Sequence, residues 1–483
     1  MKALHSRYNP QAEAERYLAA LSLHPDTRCF ILIEPGLGYM IPVLARRFPR
    51  ARIAALHVEA SEAGREFPAA HWDPNLAPDA EDFLERELEE ALPGGLGAES
   101  VRIIEWRPGR DRYGEDYLKL AAAAAAAVRR FDAGRRTVRA FGRRWFRNFF
   151  RNLRILGGFP LYRDLPVPVL VTGAGPSLEE SLPLIKKLKD REDCFIIASS
   201  SSLMALCYGN IVPDLVLSTD GGPWAQFHLY ELFRRGVAAA LAAAFIAGIP
   251  SQCGELPVLW IGDGSLWQRL ILGGLGIPHL VLPQRGTVAA TALDLAFTLG
   301  RENVYIAGLD LDSRDIRTHA RPYGFDRLWR EGASRFRPAY GQYFSRSFAM
   351  KEGGSHRVYA EWFAAHLDSY SARLKTLGNN HPLFGGLPPA TEEGRRESPG
   401  TGGKKGGGGM PPARLIPIRI ENPVSRALEI LKAGLEDPKT SRALRGELGS
   451  LLLPAGESPE PGELWRVLES LAGAPVPRGA VHD

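Results

Sequence analysis

Cysteine is scarce in this chain, with four in 483 residues: Cys29, Cys194, Cys207 and Cys253. They stand far apart and form no C-x-x-C pair. That excludes a disulfide scaffold and argues against a structural zinc site. Long apolar runs are also missing. The tract Leu120 to Val128 is apolar but short and mostly alanine, and Arg129, Arg130, Arg135 and Arg136 follow it closely. No stretch reaches the roughly 20 apolar residues of a membrane span. The first residues, MKALHSRYNPQAEAERYLAAL, lack the apolar core of a secretory signal, so the expected compartment is the cytoplasm. A strong charge of either sign is absent as well. Sixty basic residues face 55 acidic ones, and a net charge of +5 is too even to argue for a nucleic-acid partner. What the chain does have is apolar material for a sizeable core, at 45%. It also has 51 Gly and 37 Pro, above the ordinary share. At roughly 100–200 residues per domain, its length suggests two to four domains.

The pattern along the chain reads as α/β: two Rossmann-like units joined by a helical connector, with a small helical C-terminal appendage. In residues 1–110, Asn9 to Leu21 reads as a helix. CFILIEPGLGYMIPVLARRFP reads as strand, Gly turn and helix, ARIAALHVEA as a strand ending at Glu59, and VRIIEW as a further strand. The turn Glu34-Pro35-Gly36-Leu37-Gly38-Tyr39 resembles a shortened methyltransferase-type dinucleotide fingerprint. Residues 111–160 hold ten Arg between Arg129 and Arg154. Phe131, Val138, Phe141, Trp145, Phe149, Leu153 and Leu156 recur at helical spacing, which predicts a long helix with one apolar face. Residues 161–385 alternate apolar strands with helices, the signature of a doubly wound parallel sheet. VYAEWFAAHLDSYSARLKTLG (358–378) reads as the helix closing this domain. Residues 386–413 have a linker's composition. Residues 414–483 are predicted to hold two or three short helices.

In such sheets, ligands bind beyond the carboxyl ends of the strands. Five features of the central domain fall there. Gly173-Ala174-Gly175-Pro176-Ser177-Leu178 follows a strand; its glycines allow close backbone approach, and its amides and Ser177 hydroxyl suit an anion or simply cap a helix. Ser199, Ser200, Ser201 and Ser202 end the next strand and suit a base, a sugar or a helix cap. Ser218-Thr219-Asp220 ends another, with Asp220 able to hold a ribose, a sugar, a metal or its own loop. Arg285-Gly286-Thr287 opens a helix whose N-terminus can take an anion. Gly308-Leu309-Asp310 precedes His319, the candidate acid/base, with His356 in Gly353-Gly354-Ser355-His356 as its rival.

GAGPSL, IASSSSLMAL, IVPDLVLSTD and GTVAATALDLAFTLGRENVYIAGLDL, in this order, resemble the domain shared by bacterial motility accessory factors and the archaeal hydroxymethylpterin diphosphokinase. GRRWFRNFFRNLRIL looks like the helical lead-in of motility accessory factors, and the βαβ unit at 29–60 resembles their N-terminal domain. The likeness spans roughly residues 25–380. It implies a glycosyltransferase-like protein that moves a nonulosonic acid, of pseudaminic, legionaminic or sialic type, from a CMP donor to Ser/Thr of flagellin. The GxGPSL turn is similar to that of bacterial sialyltransferases. By that likeness Gly173, Gly175, Pro176 and Ser177 would cradle the cytidine phosphate. Ser199, Ser200 and Asp220 would flank nucleotide or sugar, Gly286 and Thr287 would face the donor phosphate or carboxylate, and His319, with Asp310 nearby, would be catalytic. No metal or resident cofactor is expected. The pyrophosphokinase alternative would need Mg²⁺ and ATP, with Asp220, Asp310 and Asp312 clustered. A non-catalytic flagellin-binding or assembly factor is the third reading.

Overall fold

The computed structural model describes residues 3–59, 67–74, 80–92, 96–162, 164–353, 355–390, 414–453 and 461–473. The chain divides into two compact units: residues 1–143 with 433–469, and residues 144–432 with 470–483.

The first unit is a three-layer sandwich. Its strands β1 (Cys29–Ile33), β2 (Arg52–Leu56), β3 (Ala70–Trp72) and β4 (Val101–Glu105) form a parallel sheet in the order β3-β2-β1-β4. All five residues of β1 are buried, so it reads as an unbroken apolar run. Successive side chains of a strand point to opposite faces. Phe30 and Leu32 therefore pack with helices α1 (Pro10–Ala19) and α2 (Met40–Arg47), through Leu18, Ile41 and Leu44. Cys29, Ile31 and Ile33 pack on the other face with α3 (Ala80–Ala91). Asn9 caps α1 by accepting the Ala12 N–H at 2.9 Å. A short helix, α4 (Arg107–Tyr113), leads into α5 (Glu115–Asn152), the long Arg-rich helix. Tyr117, Leu120, Ala124 and Ala127 of α5 complete the first core. Its last turns bury Phe146, Phe149 and Phe150 in the second unit. The apolar stripe is thus not uniform, because Phe141 is 41% exposed.

The second unit is built on an eight-stranded, all-parallel sheet: β6 (Val169–Thr172), β7 (Phe195–Ser199), β8 (Leu215–Ser218), β9 (Ala240–Ala244), β10 (Val258–Gly262), β11 (Leu280–Val281), β12 (Val304–Ala307) and β13 (Leu374–Thr376). Its order is β11-β10-β9-β8-β7-β6-β12-β13. The chain steps outward from β6 to β11 and then returns to the far side of β6. The topological switch point therefore lies between β6 and β12. Helices α6 (Leu178–Asp190) and α7 (Leu203–Tyr208) cover the face bearing Leu170, Ile196 and Tyr305. Beyond β8 and β10 come α8 (Gln226–Arg234) and α9 (Leu266–Gly274). α10 (Val288–Leu299) crosses β6, β7, β8 and β12, and its C-terminal Gly300 abuts Val169, on the opposite face from Leu170. Outside this sheet, β5 (Gly158–Leu161) pairs antiparallel with β14 (Arg414–Pro417).

Several local expectations are corrected. The polar stretch DSRDIRTHARPYGFDRLWREG after Asp310, which reads as a loop, contains α11 (Asp326–Glu331), and α12 (Ala339–Gly353) follows it. Gly353 and Ser355 belong to α12 and α13 (Ser355–Ser371), so His356 stands in the first turn of a helix rather than in a loop. The helix expected over 358–378 stops at Ser371, and Leu374–Thr376 instead forms the edge strand beside β12. Pairing with β12 outweighs helical periodicity at that end. The C-terminal region holds three helices, α14 (Pro423–Glu436), α15 (Ser441–Leu452) and α16 (Pro461–Gly473). Most of the expected linker, 391–413, lies outside the described residues. The four cysteines are buried and unbridged. Burial pushes the thiols of Cys29 and Cys253 up to about 12. Among the described residues, no helix is long and apolar enough to cross a membrane.

Candidate functional site

The switch point brings two of the expected motifs into direct contact. The Gly173 N–H donates to the Ala307 carbonyl, and the Gly175 N–H donates to the Gly308 carbonyl, both at 2.8 Å. This seam leaves no room for side chains. A Cβ on Gly173 would lie 2.9 Å from the Gly308 carbonyl carbon and closer still to its oxygen. A Cβ on Gly175 would lie 2.6 Å from Asp310 Cγ.

Asp310 crosses the seam to the start of α6. Its Oδ2 accepts the Ser177 N–H at 2.7 Å, and its Oδ1 accepts the Ser177 hydroxyl. The N-terminus of α6 suits an anion, and here the carboxylate of Asp310 sits on it. Burial pushes this carboxyl above its ordinary value, against the pull of the two bonds from Ser177. Behind Asp310, the Asn380 side chain accepts the Leu309 N–H at 3.0 Å.

The loop carrying His319 folds over the same helix start. The Ala320 N–H donates to the Ala174 carbonyl at 2.8 Å. Glu179 receives both Arg317, at 3.1 Å, and the Arg321 N–H, at 2.9 Å. Glu180 receives Arg314 and the Asn379 amide. The acidic first turn of α6 is thus the anchor of this loop as well as a match to the helix dipole. The His319 ring stacks on Tyr323 at 4.1 Å between centroids, and its Nδ1 lies 2.8 Å from Thr318 Oγ1. Tyr323 in turn packs with His228, Phe325 and Trp329. Burial, with the Arg346 guanidinium nearby, lowers His228 to about 4. Burial pushes Tyr323 up to about 12.

The remaining expected residues line the same sheet edge. Ser199 and Ser200 are buried at the end of β7, where Ser200–Ser202 makes one 3₁₀ turn. Ser202 bridges to β6, its Oγ lying 2.9 Å from Thr172 Oγ1, while Ser199 Oγ lies 3.3 Å from Ser201 Oγ. Asp220 is exposed and accepts the Gly222 N–H at 2.7 Å. Thr287 caps α10, accepting the Ala289 N–H at 3.4 Å, and Gly286 beside it faces open space at φ +71°. Arg285 is held by Asp294 at 2.7 Å. Gly173, Gly175, Pro176, Ser177, Asp310 and His319 therefore share one locus. Ser199, Ser200, Asp220, Gly286 and Thr287 lie along the edge without a direct hydrogen bond to it. Among the described residues, no group of three or more His, Cys, Asp or Glu is placed to hold a metal ion.

Several residues escaped the sequence reading. Asn148 donates to the Gly221 and Ile246 carbonyls at 3.0 and 2.9 Å, and Asn152, one turn on, donates to those of Phe245 and Ala247 at 2.8 and 3.0 Å. Together they brace the chain after β8 and β9, including the residue next to Asp220. The signal was present: asparagine is a poor helix former, and two of them four apart in an Arg-rich helix need a reason. Ser218 Oγ, at the end of β8, is buried with no hydrogen-bond partner among the described residues. In the first unit, the Glu34 carboxylate accepts the Val58 N–H at 2.8 Å, and the Leu37 N–H of the Gly turn donates to His5 at 2.9 Å.

The fold is that of a parallel α/β protein, with the candidate site beside its switch point. Residues 144–315, within the second unit, match the family model described as 6-hydroxymethylpterin diphosphokinase MptE-like. This is the domain the sequence motifs resembled. An uncharacterized protein of Treponema pallidum (strain Nichols) is 31% identical over 244 residues, which is 50% of this chain and 51% of that protein. The chain thus spans about half the length of the curated relative it matches. Among solved structures, the MAf glycosyltransferase from Magnetospirillum magneticum AMB-1 superposes over 96% of this chain and 86% of its own, with 15% identity and a TM-score of 0.48. A likeness that loose carries no argument about activity.

Proposed function

We propose that the MptE-like domain is glycosyltransferase-like and acts as in motility accessory factors, moving a nonulosonic acid from a CMP donor to a Ser/Thr hydroxyl of flagellin. One observation carries the reading: the Gly turn after β6, Asp310 after β12 and the His319 loop meet at the switch point, joined through Ser177 and Ala174. A CMP-linked ketoside must have its phosphate stabilised as the bond to the sugar breaks. Helix N-termini and hydroxyls supply that stabilisation. The start of α10, with Ser199 and Ser200, supplies such groups at this edge, while the start of α6 already carries the Asp310 carboxylate. The acceptor hydroxyl must lose a proton as the new bond forms, and the imidazole of His319, held beside Thr318, is the base proposed to take it. Asp310 acts here on the Gly turn, holding the seat a donor phosphate would claim.

The family description favours a second reading, pyrophosphoryl transfer from ATP to a pterin. That chemistry calls for Mg²⁺ between clustered acids, and both oxygens of Asp310 are already engaged by Ser177. The test is to incubate the full chain with CMP-activated nonulosonic acids and flagellin and to follow intact mass. Transfer predicts a sugar-sized gain whose rate falls about 10²–10⁴-fold in His319→Ala. Binding of flagellin without mass gain from any donor would favour the assembly-factor reading. AMP release from ATP with a pterin would favour pyrophosphoryl transfer.

A further inference from the structure

Four aromatic side chains stand in solvent at four-residue intervals: Phe336 is 96% exposed, Tyr340 66%, Phe344 55% and Phe348 56%. The last three lie on α12, where residues four apart share one face. Phe336 projects from the turn just before it, closed by the Ser334 N–H to the Arg337 carbonyl at 3.0 Å. Single exposed aromatics are ordinary, but an aligned row of them is a patch that calls for a partner. Arg335 and Arg337 flank Phe336; both are exposed, and among the described residues neither forms an ion pair.

Neighbouring residues of α12 tie it to the candidate site. The Tyr343 hydroxyl donates to Asp326 at 2.6 Å. Ser347 donates to Ser313 Oγ at 3.0 Å and to the Asp315 carbonyl at 3.3 Å. The Arg346 guanidinium lies 5.9 Å from the Tyr323 ring centroid, and that ring carries His319. The outer row is therefore fixed to the segment that holds the proposed base.

We propose that this row docks the acceptor polypeptide, through an amphipathic helix with an apolar i, i+4 stripe and carboxylates beside it. The inference rests on the transfer reading above. The aromatic row supplies an apolar face for such a helix, and the two unpaired arginines supply the complement to its acids. An occupant held here lies against the same segment as the base its hydroxyl must reach. A second copy of this chain, or an anionic lipid surface, would have no such reason to sit beside His319.

The test uses the full chain with immobilised flagellin as the probe, and two variants, Phe344→Ser/Phe348→Ser and Arg335→Glu/Arg337→Glu. Each should weaken flagellin binding at least tenfold, and wild-type binding should weaken as salt rises. CMP release from the donor to water should stay at the wild-type rate in both, because the reacting edge is untouched. Wild-type affinity and KM for flagellin in both variants would overturn the docking proposal while leaving transfer standing. So would loss of self-association, read by light scattering, or of binding to phosphatidylserine vesicles, with flagellin affinity unchanged. If the wild type neither binds nor modifies flagellin, the transfer reading falls, and this inference with it.

Discussion

Replacing Gly173 with alanine tests the seam between β6 and β12. The new Cβ would press on the carbonyl of Gly308, which is backbone and cannot rotate aside. Ordinary carbon–oxygen contact needs about 3.3 Å, so the two strand ends must part by several tenths of an ångström or more. Overpacking of this kind costs about 1–3 kcal/mol. The Gly173–Ala307 and Gly175–Gly308 hydrogen bonds cross the same gap, and weakening them adds about 1 kcal/mol. The expected loss is therefore about 2–4 kcal/mol. Gly286→Ala is the matched control. It has nothing within 4 Å among the described residues, so its left-handed backbone, φ +71°, is what penalises a side chain, by about 1 kcal/mol. The measurement is hydrogen exchange in peptides covering 169–178 and 304–312, together with urea unfolding of the full chain. Gly173→Ala should speed exchange at both strand ends, and Gly286→Ala should leave them near wild type. Equal protection in Gly173→Ala and wild type would refute the close approach, and so would a larger effect from Gly286→Ala.

Further perturbations probe the rest of the site. His228 is neutral in the fold and lowered to about 4, so the unfolded chain takes its proton first. Its contribution is intact above pH 6.5 and is lost as pH falls from 6.5 towards 4, by about 2–3 kcal/mol. Urea midpoints from pH 7.5 to 4.5 should therefore fall less steeply in His228→Phe than in wild type, and parallel curves would contradict this. Asp310→Asn removes the charge seated on α6, so CMP should bind several-fold more tightly by calorimetry at pH 7.5; weaker binding would place Asp310 among groups that help the ligand. Asn152→Leu deletes two donors to the buried carbonyls of Phe245 and Ala247 and should cost about 2–4 kcal/mol in urea unfolding, whereas a neutral result would remove the brace from the account.

Most of the sheet was legible because its strands are buried on both faces. VLVT, FIIAS and LVLS read as continuous apolar runs, and each ends in the turn residues that mark a strand end. The site motifs were legible by position for the same reason. Their mutual placement was not. Ser177 and Asp310 are 133 residues apart, and only the order of strands, with β12 returning beside β6, brings them together. Short or unusual elements also escaped. β3 is the three residues Ala-His-Trp, too short to show alternation. β13 continues an apparently helical run, and its strand conformation comes from a partner strand 70 residues earlier. α12 was missed because its rings face water and give no inward stripe. The aromatic row that hid the helix is the feature now assigned to docking.

The antiparallel pair of β5 and β14 has a practical consequence. Gly158 lies opposite Pro417 and Leu161 opposite Arg414, so the chain enters and leaves the eight-stranded sheet at a single doorway. Each of the site motifs lies on the stretch of chain between these two strands, while the Asn148 and Asn152 brace comes from α5 before it. A segment whose ends already touch is suited to transplantation. It could be cut out or rejoined with new termini, provided α5 and its two asparagines are kept with it.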